Sequence, residues 1–154
     1  MVDVGQTAPD ASFDMTDGKR ASIADWRGQK LVVYFYPKDD TGGCTKEAQA
    51  FTALIPEFTK AGTVVLGVSK DSTASHAKFV KKYDLAVALG SDSDGSVCDA
   101  FGVWVEKSMY GRSYMGIERS TFLIAGDGKI AQIWRKVKVA GHAESVLEAS
   151  LAID

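Results

Sequence analysis

The sequence predicts a three-layer α/β fold in which a mixed central sheet is flanked by helices. The first observation is residues 30–36, a run of β-branched and aromatic residues typical of a strand buried on both faces. The second is a spacing of three and four between apolar residues, which begins near Cys44 and predicts an amphipathic helix ending near Gly62. The third is residues 126–128, a glycine-rich hairpin motif between two apolar runs.

The other segments alternate between strand and helix patterns in chain order. They are a buried strand at residues 63–68, a helix capped by Asp71 or Ser72, a short strand at residues 86–89 and a short helix that carries Cys98. The two hairpin strands are expected at residues 120–125 and 130–136, and a final helix at residues 141–152.

The order of these elements narrows the architecture. Right-handed crossover connections place the first strands in a parallel sheet, and the hairpin adds an antiparallel edge. This arrangement is typical of a thioredoxin-like three-layer fold. The chain of 154 residues has no repeat, linker or low-complexity tract, so we expect a single domain spanning residues 1–154.

Composition and charge argue against several classes of function. The formal net charge of −2 favours neither nucleic acid nor an anionic membrane as a partner. No apolar run approaches the roughly 20 residues needed to cross a bilayer. Residues 1–10 lack the pattern of a secretory signal. We therefore expect a cytoplasmic protein whose partners are small molecules or other proteins.

The chain has two cysteines, Cys44 and Cys98, and they do not form a Cys-x-x-Cys pair. Two isolated cysteines in a reducing compartment do not suggest a structural disulfide. They suggest buried thiols, reactive thiols or one of each. No group of histidine, cysteine and aspartate has metal-ligand spacing, so we expect no metal, and we expect no cofactor.

Cys44 stands where a glycine-containing loop turns into a helix that follows a buried strand. The first turn of a helix has unpaired backbone N–H groups and a positive dipole end, and both favour a thiolate over a thiol. Gly42 and Gly43 allow a close approach to the backbone, and Thr41 supplies a hydroxyl. These surroundings favour attack on a peroxide O–O bond. On chemistry alone, a buried cysteine that packs as a small apolar residue is an equal alternative.

At this point the sequence resembles the peroxiredoxins, through the pattern Pro37-x-x-x-Thr41-x-x-Cys44. The wider resemblance is to the branch called bacterioferritin-comigratory protein or peroxiredoxin Q. It consists of an ordered series of short segments over nearly the whole chain: residues 5–9, 35–39, 41–45, 67–69, 75–79, 83–85, 101–104, 119–124 and 141–143. One short motif can arise by chance, whereas this ordered series is specific.

The resemblance implies an enzyme that reduces hydrogen peroxide and organic hydroperoxides through a sulfenic acid on Cys44. It implies that Thr41 hydrogen-bonds the sulfur and the peroxide, and that Pro37 shields the site. Arg119 would be a counter-charge for the thiolate and would bind a peroxide oxygen. The backbone N–H groups of Gly43 and Cys44 would complete the pocket. The expected partner is thioredoxin or another thiol reductant, and the expected protein is a monomer or a weak homodimer.

The sequence departs from this branch at two positions. Many members carry a resolving cysteine five residues after the nucleophile, where this chain has Gln49, and Gly42 stands where a proline is common. The first hypothesis is therefore a one-cysteine enzyme recycled by an external thiol. The alternative is that Cys98 resolves Cys44 after local unfolding of the first helix. Cys98 has apolar neighbours, however, which favour a buried structural thiol.

Two other classes of function remain open on the residues alone. One is a peroxide sensor that passes oxidation to a partner, and the other is a thioredoxin-fold interaction module whose cysteine is incidental.

Several polar residues are expected to have structural rather than catalytic roles. Glu47 is expected to face solvent or to pair with a basic group, because it would otherwise oppose a thiolate. His76 and His142 are expected on helix surfaces or at caps, and Asp39 and Asp40 in a solvated loop.

Overall fold

The computed structural model describes residues 2–154, which form a seven-stranded sheet, a separate two-stranded sheet and four α-helices. The strands are β1 (Ser12–Met15), β2 (Arg20–Ser22), β3 (Lys30–Phe35), β4 (Thr63–Ser69), β5 (Ala88–Ser91), β6 (Trp104–Met109), β7 (Arg112–Ile117), β8 (Ser120–Ile124) and β9 (Ile130–Trp134). The helices are α1 (Gly42–Lys60), α2 (Thr73–Tyr83), α3 (Ser96–Phe101) and α4 (His142–Leu151). Within the described range, no helix is both long and apolar enough to cross a membrane.

The large sheet has the strand order β2-β1-β5-β4-β3-β8-β9, with β3 near its centre. β3, β4 and β5 run parallel, and β8 pairs with β3 in the antiparallel direction. A strand as continuously apolar as β3 is stable only where both faces of the sheet are covered. The predicted mixed sheet between layers of helix is therefore confirmed.

Alternating side chains of β3 build two apolar cores, one on each face of the sheet. The odd-numbered side chains pack into a core that includes α3. The even-numbered side chains pack into the opposite core, together with residues of α1, α2 and α4. The sheet consequently separates the two cysteines, because Cys98 belongs to the first core and Cys44 to the second.

Most predicted elements are present, with small differences at their ends. The helix predicted to end near Gly62 ends at Lys60, and the strand predicted at residues 86–89 is found at Ala88–Ser91. β8 and β9 form an antiparallel hairpin at one edge of the sheet, as predicted.

Two hairpins were not predicted. β1 and β2 pair with each other at the opposite edge of the large sheet, where β1 also pairs with β5. β6 and β7 form the separate two-stranded sheet. This β6–β7 hairpin carries most of the exposed large apolar side chains of the described chain: Met109, Tyr110, Tyr114 and Met115.

The pairing of β3 with β8 brings two distant segments together at one end of the sheet. Phe35, the last residue of β3, lies opposite Ser120, the first residue of β8. The loop that follows β3 therefore lies beside Arg119, which directly precedes β8. This is the carboxyl end of the parallel strands, where open α/β sheets form their binding crevices.

Candidate active site

Cys44 is the third residue of α1, which begins directly after the loop that follows β3. The carbonyl oxygen of Thr41 accepts a helical hydrogen bond from the N–H of Thr45 at 2.8 Å. The N–H groups of Gly42, Gly43 and Cys44 lie ahead of it, where backbone donors have no partner within a helix. These donors and the helix dipole favour negative charge on the sulfur of Cys44.

Arg119 places its guanidinium group against the sulfur of Cys44. Its Nη2 donates to Sγ at 3.4 Å. The cysteine is 2% exposed, and the arginine side chain is 16% exposed. A charge-assisted hydrogen bond in such surroundings is stronger than the same bond in water. The fold thus brings together the predicted nucleophile and its predicted counter-charge, which lie 75 residues apart in the chain.

Glu47, one turn after Cys44 on α1, extends this contact into a cluster of three side chains. Its Oε1 accepts a hydrogen bond from Arg119 Nη1 at 2.6 Å. Burial raises the pKa of Glu47 to about 7, although the Arg119 guanidinium acts in the opposite direction. Of the two outcomes expected for Glu47, solvent exposure or a basic partner, the second is found, and the carboxyl group points inward.

Gly43 leaves room for the guanidinium group. A Cβ atom at this position would lie 3.1 Å from Arg119 Nη2, closer than ordinary van der Waals contact. At Gly42, by contrast, a Cβ atom would meet nothing within 4 Å. Gly43 is also exposed, so a small molecule can reach the backbone beside the sulfur. A side chain at position 43 would press on the guanidinium group that contacts Cys44.

Thr41 precedes α1 and is exposed. Its hydroxyl donates to the carbonyl oxygen of Lys38 at 2.9 Å. A hydroxyl has one proton, so in this conformation Thr41 does not donate to the sulfur of Cys44 as expected, and its lone pairs remain available to a ligand.

Pro37 is exposed at the start of the same loop and lines an open pocket. The other walls come from Lys70 and from the end of the sheet formed by β6 and β7: Trp104, Lys107, Tyr114, Met115, Gly116 and Ile117. Burial lowers the pKa of Lys107, and the positive charge of Arg119 lowers it further. The pocket lies near the site, because Pro37 belongs to the loop that leads to Cys44 and Ile117 lies two residues before Arg119.

Behind the loop lies a buried hydrogen-bond network that was not predicted. Asp39 Oδ1 accepts from the hydroxyl of Tyr36 at 2.6 Å, and Oδ2 accepts from Ser75 at 2.8 Å and lies 2.7 Å from His76 Nδ1. Burial raises the pKa of Asp39, but hydrogen bonds from His76 and Tyr36 outweigh it, so the pKa lies below its ordinary value. The predictions of a solvated Asp39 and a surface His76 are wrong, because α2 packs against this loop.

The same network brings together three side chains that can act as metal ligands, Asp39, Asp71 and His76. Because Asp39 is distant from Asp71 and His76 in the sequence, the spacing of these residues did not predict the cluster. Asp71 Oδ2 accepts from the N–H of Asp39 at 2.8 Å and from Ser69 at 2.7 Å. His76 Nε2 lies 3.0 Å from the carbonyl oxygen of Gly90. Since these atoms already have hydrogen-bond partners, the cluster is a structural network rather than a candidate cation site.

His142 begins α4, as expected for a residue near a helix cap, but it is buried. Its Nε2 lies 2.8 Å from the hydroxyl of Thr121. Burial lowers the pKa of His142 to about 4, and the charge of Arg119 adds to this effect. The ring is therefore neutral at pH 7 and adds no positive charge to the site.

Cys98 lies in α3, with the sheet between it and Cys44. Its relative exposure is 0%. Burial raises the pKa of the Cys98 thiol, and the neighbouring Asp92 carboxylate raises it further. The group is consequently a thiol at neutral pH, with little nucleophilic character.

The fold and the site together define a class of protein. A sulfur at the start of a helix, with a guanidinium group against it at the carboxyl end of a mixed α/β sheet, is suited to thiol-based redox chemistry. Cys44 meets this description, and the buried Cys98 does not.

Comparison with known proteins identifies the family. Residues 4–133 match the AhpC/TSA family. Peroxiredoxin Bcp of Xanthomonas campestris is 50% identical over 153 residues, which are 97% of this chain and 96% of that protein. A structure of the bacterioferritin comigratory protein of that organism has a TM-score of 0.91 at 48% identity and covers 97% of this chain and 98% of its own. A cysteine variant of PrxQ from Xylella fastidiosa has a TM-score of 0.93 at 42% identity, covering 99% and 97%.

The chain belongs to the AhpC/TSA family, in its Bcp or peroxiredoxin Q branch, and it is a thiol peroxidase with a thioredoxin-like fold. The resemblance found in the sequence is confirmed. Peroxidases of this kind reduce hydroperoxides and take their electrons from a thiol.

Proposed function

We propose that Cys44 reduces hydrogen peroxide and organic hydroperoxides and that an external thiol recycles it. The Cys44 thiolate attacks one peroxide oxygen, the O–O bond breaks, and the other oxygen leaves as hydroxide or alkoxide and takes up a proton. The sulfur is oxidised to a sulfenic acid. An external thiol then forms a mixed disulfide with Cys44 and releases water. A second thiol restores Cys44 and leaves as part of a disulfide.

One observation carries this proposal, the 3.4 Å contact between Arg119 Nη2 and Cys44 Sγ. A cation fixed at this point stabilises the thiolate before the reaction and the charge that develops on the departing oxygen during it. Fixed orientation of reactants supplies roughly 7–11 kcal/mol. Ionising an ordinary thiol at pH 7 contributes only about 2 kcal/mol. Arg119 therefore acts mainly by orienting the reacting groups.

The backbone and the loop have supporting roles. The free N–H groups of Gly43 and Cys44 can donate to a peroxide oxygen. Thr41, whose proton is used by Lys38, can accept a hydrogen bond from the peroxide O–H. Pro37 has no N–H group, and at the edge of the pocket it limits the access of water to the sulfur.

The pocket beside Pro37 supports organic hydroperoxides as substrates. Its walls include the apolar surfaces of Trp104 and Ile117, which suit the organic group of such a substrate. Lys70 Nζ lies over the Trp104 ring, 4.2 Å from its centroid, and stabilises that wall. The structure of the Xanthomonas campestris relative was described in connection with alkyl peroxide reduction, which agrees with this assignment.

The positions of the two cysteines support recycling by an external thiol. A disulfide requires Cα atoms about 4.4–6.8 Å apart, whereas the sheet separates Cys44 from Cys98. Their bond would require α1 or α3 to leave the sheet. Gln49, at the position where many members of this branch carry a resolving cysteine, offers no thiol. We propose that the reductant is thioredoxin or a small thiol. The enzyme is proposed to be a monomer or weak homodimer in the cytoplasm.

The rate at which Cys44 reacts with peroxide tests the proposal. Wild-type protein is mixed with hydrogen peroxide or cumene hydroperoxide in a stopped-flow instrument, and turnover is followed with reduced thioredoxin. We expect Cys44→Ser to abolish both reactions and Cys98→Ser to retain them. A wild-type protein whose cysteine reacts no faster than a free thiol would overturn the proposal.

Mass spectrometry separates the two recycling routes. The protein is treated with one equivalent of peroxide in the presence of a sulfenic acid trap, and the adducts are mapped. We expect a trapped sulfenic acid on Cys44 and an unmodified Cys98. A Cys44–Cys98 disulfide would instead establish the two-cysteine route.

A further inference from the structure

Asp39, in the loop that leads to Cys44, makes several hydrogen bonds to α2 and to its start. Its carboxylate accepts from Ser75 and lies against His76, both on α2. Its backbone N–H donates to the side chain of Asp71, just before the same helix, at 2.8 Å. The main chain and the side chain of one loop residue are thus both tied to α2 and its start.

Both ring nitrogens of His76 lie within hydrogen-bond distance of an oxygen atom. Nε2 lies 3.0 Å from the carbonyl oxygen of Gly90, which can only accept, so Nε2 donates. Nδ1 lies 2.7 Å from Asp39 Oδ2. Three donors surround this carboxyl group, and they hold its pKa below the ordinary value in spite of burial. The contact is therefore a buried hydrogen bond between His76 and Asp39, whose side chains are 0% and 4% exposed.

The next loop residue, Asp40, is strained and has its own partners on α2. Its φ of 56° lies in the left-handed region, which residues other than glycine rarely adopt. Its carboxylate accepts from Lys82 at 2.7 Å and from Tyr83 at 2.5 Å. This pair is exposed to water and salt, and so contributes less than the buried pair. The Asp39–His76 pair is the connection between the loop and α2 that is shielded from solvent.

The two half-reactions need different access to Cys44. A small peroxide can enter a site in which Cys44 is 2% exposed. A protein thiol must approach the oxidised sulfur in line, which the start of a packed helix does not allow. The loop and the first turn of α1 must therefore move outward during recycling. A bond that holds the loop in place favours oxidation and opposes reduction.

We propose that His76 is a positioning residue that sets the balance between these two half-reactions. As the buried hydrogen-bond partner of Asp39, it holds the loop in the closed conformation, in which Cys44 meets Arg119. Loss of the pair shifts the population toward an open conformation, in which the sulfenic acid is accessible to a protein thiol. This inference rests on the proposed function, because it takes a protein thiol as the reductant.

Substitution of His76 by leucine tests the inference through two separate rate constants. Stopped-flow fluorescence gives the rate of Cys44 oxidation by hydrogen peroxide and the rate at which reduced thioredoxin consumes the preformed sulfenic acid. We expect His76→Leu to slow oxidation by about tenfold and to speed reduction by about tenfold, because each rate follows the population of its competent conformation. Amide hydrogen exchange at residues 38–45 should rise in the same variant.

Two milder variants keep the test valid if His76→Leu does not fold. His76→Asn retains a neutral donor near Asp39, and Ser75→Ala removes one of the carboxylate's donors. Like His76→Leu, both variants should slow the oxidation of Cys44 and speed its reduction, but by smaller factors. Ser150→Ala is the control, since it removes a buried 3.1 Å hydrogen bond to Thr63 at the far end of the sheet. It should lower Tm and leave the ratio of the two rates unchanged.

The opposite signs of the two effects separate positioning from simple destabilisation. A folded His76 variant whose reduction by thioredoxin is unchanged or slower would overturn the inference, while wild-type reactivity toward peroxide would still support the proposed function. A wild-type Cys44 that does not react with peroxide would overturn the proposed function itself.

Discussion

Glu47 Oε1 and Arg119 Nη1 form a partly buried hydrogen bond of 2.6 Å beside the sulfur of Cys44. The guanidinium group is a rigid planar fork, so the amino group that bonds Glu47 fixes the direction of the one that reaches Cys44. Glu47 therefore controls a contact that it does not itself make. When Glu47 is ionised, its negative charge also opposes the thiolate, and these two effects have opposite consequences for the rate.

We expect Glu47→Gln to slow the oxidation of Cys44 by hydrogen peroxide by about tenfold, because orientation contributes more than ionisation does. Stopped-flow kinetics at pH 7 measure the second-order rate constant. Glu57→Gln, an exposed change on the same helix, is the matched control and should leave the rate unaltered. A faster reaction in Glu47→Gln would contradict the prediction and show that charge repulsion dominates.

Arg119→Lys keeps the positive charge but loses the planar guanidinium group, whose two amino groups reach Glu47 and Cys44. A lysine ammonium cannot span Glu47 and Cys44 in the same planar geometry. Loss of one charge-assisted hydrogen bond costs about 1.5–3 kcal/mol, so the rate with peroxide should fall roughly 10- to 100-fold. The same change at the exposed Arg112 on β7 is the control. Equal rates for Arg119→Lys and wild type would mean that charge alone suffices.

Glu47 and His142 have opposite effects on the pH dependence of stability. Burial raises the pKa of Glu47 from 4.5 to about 7, so the folded protein keeps a proton that the unfolded chain has lost, and stability falls as pH rises. Burial lowers the pKa of His142 from 6.5 to about 4, so the unfolded chain binds a proton that the folded protein lacks, and stability rises with pH. The two slopes oppose each other between pH 4.5 and 6.5.

When one of these two residues is substituted, the pH dependence of stability that remains should be the one contributed by the other residue. In Glu47→Gln, stability should rise from pH 4.5 to 6.5, because only the His142 contribution is left. In His142→Gln it should fall toward pH 7 by a contribution from Glu47 on the order of 3 kcal/mol. Urea unfolding at several pH values measures both profiles. Profiles of both variants that run parallel to that of wild type would refute the prediction.

The central fold could be predicted because the local sequence pattern shows which residues of its strands and helices are buried. β3 is apolar on both faces, and α1 has apolar residues at helical spacing. β1 has only Phe13 fully buried, and most of β7 is exposed, so neither strand has the alternation that reveals a half-buried strand. Their pairing depends on tertiary contacts. The single domain and the cytoplasmic location stay predictions.

The site was predictable in part. The proximity of Arg119 to Cys44 followed from the family resemblance, because local spacing says nothing about residues 75 positions apart. The inward direction of Glu47 had a sequence signal, since it lies on α1 next to the apolar Ala48 and one turn after Cys44. The pairing of Asp39 with His76 had no signal in the sequence, because it depends on how α2 packs against the loop.

Gly67 on β4 lies against the ring of Tyr34 on the neighbouring β3. A Cβ atom at this position would lie 2.6 Å from Tyr34 Cζ and 2.7 Å from its Oη. Tyr34 is fully buried and stacks on Phe51 of α1, with ring centroids 4.7 Å apart, so the ring has no free space to enter. The glycine is required by close packing beneath the helix that carries Cys44.

We therefore expect Gly67→Ala to lower the free energy of unfolding by about 1–3 kcal/mol, as overpacking of a core does. Urea denaturation measures it. Gly126→Ala is the control, because a Cβ atom there would be 3.6 Å from its nearest neighbour, and the change should stay within about 0.5 kcal/mol. If the clash with Tyr34 is the cause, the double variant Gly67→Ala/Tyr34→Leu should lose less stability than the sum of its single changes. Strict additivity would locate the cost elsewhere, in the strand backbone or at Leu89, whose Cδ2 would lie 2.9 Å from the same Cβ atom.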